Sequence, residues 1–306
     1  MKILGFSAKV KEELCGVPLE NSDFARAESY GALLFGNILS QQKIQLSTTD
    51  PAFAERLVGL FAIAFDGLTF DQIVPTANGG KINLHIHNQE KINAVWHALD
   101  LDCQLSTVNC QLSLNFALLE EDPAKTAFLR GAFLAAGAVT DPTKSYHLEF
   151  STLHRRVSRA VVPLVRECAP EVTLRETMRR GKCVLYCKKS EQIADFLTLI
   201  GAPVCAMAHM NTAIDKTLQN KVQRQVNCDS ANLDKRLDAA TLQLAAIRKI
   251  EAEQGLSALP ESLYQTAILR VMNPEASMAE LALLAVPPVS KSAIAGRLRR
   301  IVGLVG

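Results

Sequence analysis

Apolar positions along the first two hundred residues recur with two alternating periods. Residues 25–37 (ARAESYGALLFGN) carry the three-to-four spacing of a helix, ILS (38–40) and KIQLSTT (43–49) read as a short extended pair, and 51–65 is helical again. LTFDQIV (68–74) and KINLHIH (81–87) then flank the turn signal Asn78-Gly79-Gly80, and a helix over 89–99 holds the single Trp96. The same order returns with an offset near 100: helix 124–137, AVT and YHLEFST across Asp141-Pro142, helix 153–168, VTLRETM and KCVLYCKK around Arg180-Gly181, and helix 190–200. The pattern predicts an α-β-β-α-β-β-α unit present twice, in copies of about 20–100 and 123–201, within an α+β domain spanning residues 1–202. Neither copy alone covers both faces of a small antiparallel sheet, so the two are expected to pack with their first helices at the seam.

Strand signals vanish after residue 202. A helical linker is predicted over 203–256, with cap chemistry at Asn227 to Asn232 in its middle and a stop at Gly255. Residues 257–306 predict a compact all-α domain of three helices: SLYQTAILRVM ends before Asn273-Pro274, Ser277 caps MAELALLA, Pro287-Pro288 forces a turn, and Ser290 caps KSAIAGRLRRI. Two short helices joined by a tight turn match a helix-turn-helix, whose second helix enters the major groove. On that helix Ile294, Leu298 and Ile301 form the core stripe. The opposite side is Ser292, Gly296, Arg299 and Gly303, flanked by Ala295 and Arg300. Small residues there allow close approach to a groove, and arginines reach phosphates or guanine edges. Ser290, Lys291 and Ser292 at the helix start, with Arg297, Arg299 and Arg300, are therefore the first candidate DNA-contact residues.

Charge sharpens this reading. The chain of 306 residues has a net charge of only +2 and is 48% hydrophobic, yet residues 1–122 hold 8 Lys/Arg against 15 Asp/Glu whereas residues 144–189 hold 11 against 4. A basic segment inside a near-neutral chain suits a polyphosphate partner. The hairpin tip Arg179, Arg180 and Lys182, and Arg155 and Arg156 (with Arg159) on the preceding helix, form the second candidate surface. From Leu281 to the end there are four Lys/Arg and no acid. The eight cysteines contain no CxxC pair, the opening MKILGF runs into charged residues without a leader-like apolar stretch, and no later run is long enough to span a bilayer. Reduced thiols, a cytoplasmic location and no membrane partner are the expectation.

PPVSKSAIAGRLRRI, preceded by VNCDSANLDK and FLRGAFLAAGAVTDPTKSYHLEF, resembles the WhiA family of bacterial sporulation and cell-division transcription regulators, and the resemblance runs from FSAKVKEEL to the last helix. The ending IVGLVG departs from it, being apolar where a more polar helix continuation is expected. The family implies a degenerate LAGLIDADG homing-endonuclease-like domain followed by a helix-turn-helix, and a nucleoid-associated regulator that binds a promoter or operator in double-stranded DNA, alongside other regulatory proteins. It also explains why FLRGAFLAAGAV accepts two glycines, each costing roughly 1 kcal/mol against alanine in a helix: in LAGLIDADG folds two such helices pack almost backbone to backbone. Gly31, Gly131 and Gly137 are the expected packing residues. Active nucleases of this fold place a metal-binding acid at the position taken here by Gly36 in one copy and Ala136 in the other. Neither ligates a metal, so no cofactor, no metal and no enzyme activity are expected. The competing readings are a residual metal-dependent nuclease and a non-catalytic protein-interaction scaffold using the basic face.

Smaller signals point to sheet surfaces. His85 and His87 share a strand face without a carboxylate or cysteine, His147 and Glu149 share another as a hydrogen-bonded pair, and Cys183 and Cys187 read as packing. No Ser-His-Asp arrangement, P-loop or dinucleotide fingerprint is present.

Overall fold

A helix the apolar pattern did not announce, α1 (Phe6–Cys15), precedes the first copy. The structure, a computed structural model, describes residues 5–19, 21–76, 80–101 and 112–305. The expected turn residues Asn78 and Gly79 lie outside that set, as do Cys103 and Cys110. Helix α2 (Ser22–Phe35) starts where the Asn21 side chain accepts from the Phe24 amide at 2.8 Å. It stops at Gly36. Strands β1 (Ile38–Leu39) and β2 (Ile44–Thr48) follow, then α3 (Pro51–Ala64), capped by Asp50 with proline in its first turn. Strands β3 (Gln72–Pro75) and β4 (Ile82–Ile86) and helix α4 (Gln89–Ala98) complete the copy.

The second copy repeats the order. It comprises α5 (Asp122–Ala136), β5 (Gly137–Val139), β6 (Leu148–Thr152), α6 (Arg155–Cys168), β7 (Arg175–Arg179), β8 (Lys182–Cys187) and α7 (Ser190–Ile200). Each copy builds one four-stranded antiparallel sheet, ordered β1-β2-β4-β3 and β5-β6-β8-β7. Alternation assigns the faces. Ile44, Leu46, Leu84 and Ile86 in one sheet, and Leu148, Phe150, Leu185 and Cys187 in the other, point into a single core. Helices α2 and α5 lie at its centre and form the seam.

The long helix α8 (Pro203–Glu253) takes the place of the interrupted linker. The cap chemistry expected at Asn227 to Asn232 does not break it, because those side chains bond along the helix instead: Gln223 donates to Asn227 at 2.8 Å, Gln225 to Asp229 at 3.2 Å, and Asn232 to Cys228 Sγ at 3.6 Å. Its N-terminus is capped from far away in sequence. Glu13 of α1 accepts from the Val204 amide at 2.7 Å and the Cys205 amide at 2.9 Å.

Two compact units divide the chain, Met1–Thr217 and Leu218–Gly306, with the boundary inside α8. In the second unit, α9 (Glu261–Met272), α10 (Met278–Leu284) and α11 (Lys291–Gly303) enclose a small core of Leu263, Ala267, Leu281, Ala282, Ile294, Leu298 and Ile301. Ile247 and Ile250 of α8 join it. A capping box at Ser277 and Glu280 starts α10, and Ser290 accepts from the Ala293 amide at 3.2 Å to start α11.

Candidate nucleic-acid interface

At the seam the glycines meet backbone. A Cβ on Gly31 would overlap the Phe128 carbonyl oxygen, and one on Gly131 would overlap the Glu28 carbonyl oxygen, so each helix presses its glycine against the equivalent turn of the other. No larger residue permits that approach. Gly137 is different: it lies past the end of α5, opens β5, and a Cβ there would strike Phe133 of its own helix rather than α2. Gly36 likewise closes on Leu46 and the Ala32 carbonyl. Both positions are tight exits from a helix into a strand, which corrects the expectation that Gly137 belongs to the helix pair.

The helix ends carry no carboxylate. Leu34, two residues before Gly36, has its carbonyl bonded by Thr152 Oγ1 at 2.7 Å, and Leu134, two before Ala136, has its carbonyl bonded by Lys11 Nζ at 3.0 Å. Burial lowers the Lys11 ammonium's pKa, against the opposing pull of Asp50 and Cys15. A divalent cation needs converging anionic oxygens, and these ends offer the Lys11 ammonium at one and the Thr152 hydroxyl at the other. The donor set does not fit the metal of a LAGLIDADG nuclease. Among the described residues no group of three or more His, Cys, Asp or Glu is placed to hold a metal ion.

A buried ion network crosses the seam, and neither copy's local pattern reveals it. Glu28 of α2 meets Arg56 of α3 at 2.6 Å and Arg130 of α5 at 3.1 Å. Arg56 also donates to the Cys15 and Val17 carbonyls, and Arg130 to the Ile200 carbonyl at 2.8 Å. One carboxylate thus ties α1, α2, α3, α5 and the end of α7.

The open sheet faces differ in chemistry. Register places Gln45, His85 and Gln72 side by side, and Ser47, Asn83 and Val74 beside them, with Ser47 Oγ donating to Asn83 Oδ1 at 2.6 Å. His85 and His87 stack at 5.4 Å, and burial together with Lys43 and His87 holds His85 below the ordinary histidine range. On the second sheet Arg175 and Glu149 flank Tyr186, Thr177 and Ser151 flank Val184, and Arg179 faces Lys182. The β7–β8 turn has φ of 51° at Arg180 and 76° at Gly181, both left-handed, as a two-residue hairpin of right-handed twist requires.

The basic candidates do not all share this face. Arg180 and Lys182 are exposed at the tip, but Arg179 is tied to Glu149 at 3.1 Å, and Glu149 also meets His147 at 2.9 Å. Arg155 and Arg156 do not join them. Helix α6 packs Val157, Val161, Leu164 and Val165 into the core beneath the sheet, which turns those exposed arginines away from the open face. Spacing alone had left their direction open.

On α11, Ile294, Leu298 and Ile301 are fully buried, and Lys291, Ser292, Arg299 and Arg300 are exposed. Among the described residues none of Lys291, Arg299 and Arg300 joins a salt bridge. A Cβ on Gly296 or Gly303 would meet nothing, so that side is open. Arg297 stands apart: half-buried on the flank, it lines a groove of about 620 Å³ with Tyr264, Ile268 and Met272 of α9, Leu284 at the end of α10 and Val286 of the turn. It does not share the face of Arg299.

A duplicated α+β unit with two glycine-packed helices, joined to a bundle that ends in a capped, acid-free helix, defines a LAGLIDADG-like domain carrying a helix-turn-helix. The comparisons agree. Residues 125–219 match the WhiA LAGLIDADG-like domain and residues 222–305 the WhiA C-terminal HTH domain. The curated relative "Probable cell division protein WhiA" of Ruminiclostridium cellulolyticum is 33% identical over 305 residues, covering 97% of this chain and 96% of that protein. Its namesake in Clostridium novyi is 32% identical over 307 residues, with the same coverage. The crystal structure of full-length WhiA from Thermotoga maritima shares the fold, with a TM-score of 0.62 at 24% identity over 99% of this chain and 98% of that one. The chain belongs to the WhiA family, and its helix-turn-helix domain supports a DNA-binding regulatory role. No helix among the described residues is long and apolar enough to cross a membrane.

Proposed function

We propose that this protein is a sequence-specific, double-stranded-DNA-binding transcription regulator linked to cell division, chromosome segregation or sporulation, acting in the cytoplasm on the nucleoid and without nuclease activity. One observation carries the reading: α11 leaves Ser292, Gly296, Arg299 and Gly303 uncovered on the side opposite its core stripe, with unpaired cations and no acid on the helix. In this arrangement Ser290 and Ser292 set the helix start against a phosphate, Lys291 and Arg300 meet the backbone, and Arg299 reads a base edge. The exposed hairpin residues Arg180 and Lys182 give a second, sequence-independent phosphate contact. The absence of cutting is supported by Gly36 and Ala136 at the helix ends and by the Lys11 ammonium on the Leu134 carbonyl at the end of α5. The test is binding of labelled promoter duplexes by wild type and by Arg299→Ala and Arg300→Ala, with supercoiled plasmid and magnesium as the cleavage arm. Weaker binding of every sequence assigns Arg299 to phosphate, loss of base preference assigns it to readout, and unchanged binding by the double variant overturns the proposal.

A further inference from the structure

Among the described residues of the unit Leu218–Gly306 one fully buried charge has no counter-charge. Arg270 of α9 is only 2% exposed, and among the described residues no carboxylate forms an ion pair with it. Its Nη1 donates to the Ala276 carbonyl at 2.7 Å and, at longer range, to those of Asn273 and Pro274. Among the described residues Nη2 finds only the Met278 sulfur at 3.9 Å, and Nε finds no partner. Neutral carbonyls satisfy hydrogen-bond directions, but they leave the buried positive charge uncompensated, which is the costly case.

Beside it is a cavity of about 440 Å³ between the C-terminal half of α8 and the α9–α10 connection. Its walls pair two chemistries. Arg270, Lys235 and Arg236 supply cations against the single carboxylate of Glu275, while Leu233, Leu237, Ala240 and Met278 supply apolar surface. Leu233 and Leu237 are half exposed, at 50% and 46%, although they lie on a helix that packs the domain core a few turns later. Glu280, bound to the Ser277 amide at 2.6 Å in the capping box, also draws on Arg236, so Arg236 already faces one carboxylate from outside the cavity, but Glu280 forms no ion pair with Arg270. The volume falls in the roughly 300–1,000 Å³ range of small-molecule sites, which are mostly apolar with a few placed polar groups.

We infer that this cavity binds a small organic oxyanion: a carboxylate or phosphate ester placed beside Arg270 and Arg236, with an apolar body against Leu233, Leu237 and Met278. A bound anion bridges α8 to the α9–α10 connection and so stiffens the support of α11. The consequence for DNA rests on the function proposed above; the binding itself does not.

The experiment uses the full chain in calorimetric titration, with hexyl phosphate and hexanoate as probes and hexanol and inorganic phosphate as controls. Binding of either amphiphilic anion, at least about tenfold tighter than either control, is expected, since a charge-assisted contact and the apolar wall act together. Arg236→Gln is expected to weaken it about tenfold, and Ala239→Trp, which fills the cavity from a partly exposed helix position, to abolish it. Arg270 itself is left intact, because its carbonyl bonds also hold the α9–α10 connection. No heat with either anion, or equal heat in Ala239→Trp, overturns the proposal. A parallel duplex-DNA titration separates the two readings: DNA binding without probe binding sinks only the site, and probe binding without DNA binding sinks only the function.

Discussion

The two sheets of Met1–Thr217 share one strand order and present different surfaces. On the first, the paired strand positions of the open face are neutral, Gln45, Gln72, Asn83, Ser47 and a stacked histidine pair, with Lys43 near His85 at their edge. On the second it is basic, with Arg175 beside Tyr186, Arg179 facing Lys182 and tied to Glu149, and the exposed Arg180 at the tip. The seam between the copies behaves otherwise. There the backbones repeat, Gly31 against the turn of Phe128 and Gly131 against the turn of Glu28, while the side chains at those two turns do unrelated jobs. Phe128 packs on Tyr30 and Phe35; Glu28 holds two arginines. Backbone contact admits only the smallest residue, so it stays symmetric. A solvent-facing strand position admits almost any polar residue, so the faces diverge.

The sharpest way to break this comparison is Gly131→Val. Its side chain would occupy the space of the Glu28 carbonyl, and loss of the cooperative unfolding transition of Met1–Thr217 is expected by calorimetry. Gly296→Ala, where a Cβ meets nothing, is expected instead to stabilise the unit Leu218–Gly306 by about 1 kcal/mol. Next in size is Glu28→Gln, which leaves the Arg56 and Arg130 guanidinium groups without a counter-charge and is expected to cost about 3–5 kcal/mol in urea unfolding. A cost below about 1 kcal/mol would mean that the network does not hold the copies together.

The element pattern was legible because both periods are strong where a face is buried. The glycine contact was legible too, through the resemblance. The ion network was not, since Glu28 and Arg130 lie 102 residues apart and neither shows a local partner. Nor was Glu13, whose role is to cap a helix 191 residues away. At the candidate interface the apolar stripe of α11 correctly located its core. The side chain of Arg297 falls on the flank of that stripe, and only the position of α9 decides that it lines a groove. The direction of Arg155 and Arg156 similarly depends on which side of the sheet α6 covers.

Charge reversal compares the two faces directly. Arg180→Glu with Lys182→Glu is expected to weaken nonspecific duplex binding about tenfold and to flatten its salt dependence by roughly one to two counterions, measured by anisotropy over a salt series. Lys43→Glu with Lys81→Glu on the first copy is expected to change it less than about twofold. Equal effects would erase the functional distinction between the copies.

The smallest effect concerns acid. Burial pulls Asp71 upward, but Lys91 and the amides of Asn88 and His87 outweigh it and hold the carboxyl at about 2. Because the folded value lies below the unfolded one, the contribution is fully present above about pH 4 and is lost as pH falls toward 2. Asp71→Asn is therefore expected to flatten the pH dependence of stability in that window, followed by thermal melts, with no matching change from Asp141→Asn on the second copy beyond a small one of the same sign.

The central claim is that DNA contact belongs to α11 and its uncovered arginines. Selection of bound sequences from a random duplex pool by the full chain tests it most directly, repeated with the Arg299→Ala, Arg300→Ala double variant. Enrichment of a defined site by wild type, with at least about a tenfold loss of affinity for that site in the variant, is the predicted result. Recovery of the same site with undiminished affinity by the variant would contradict it.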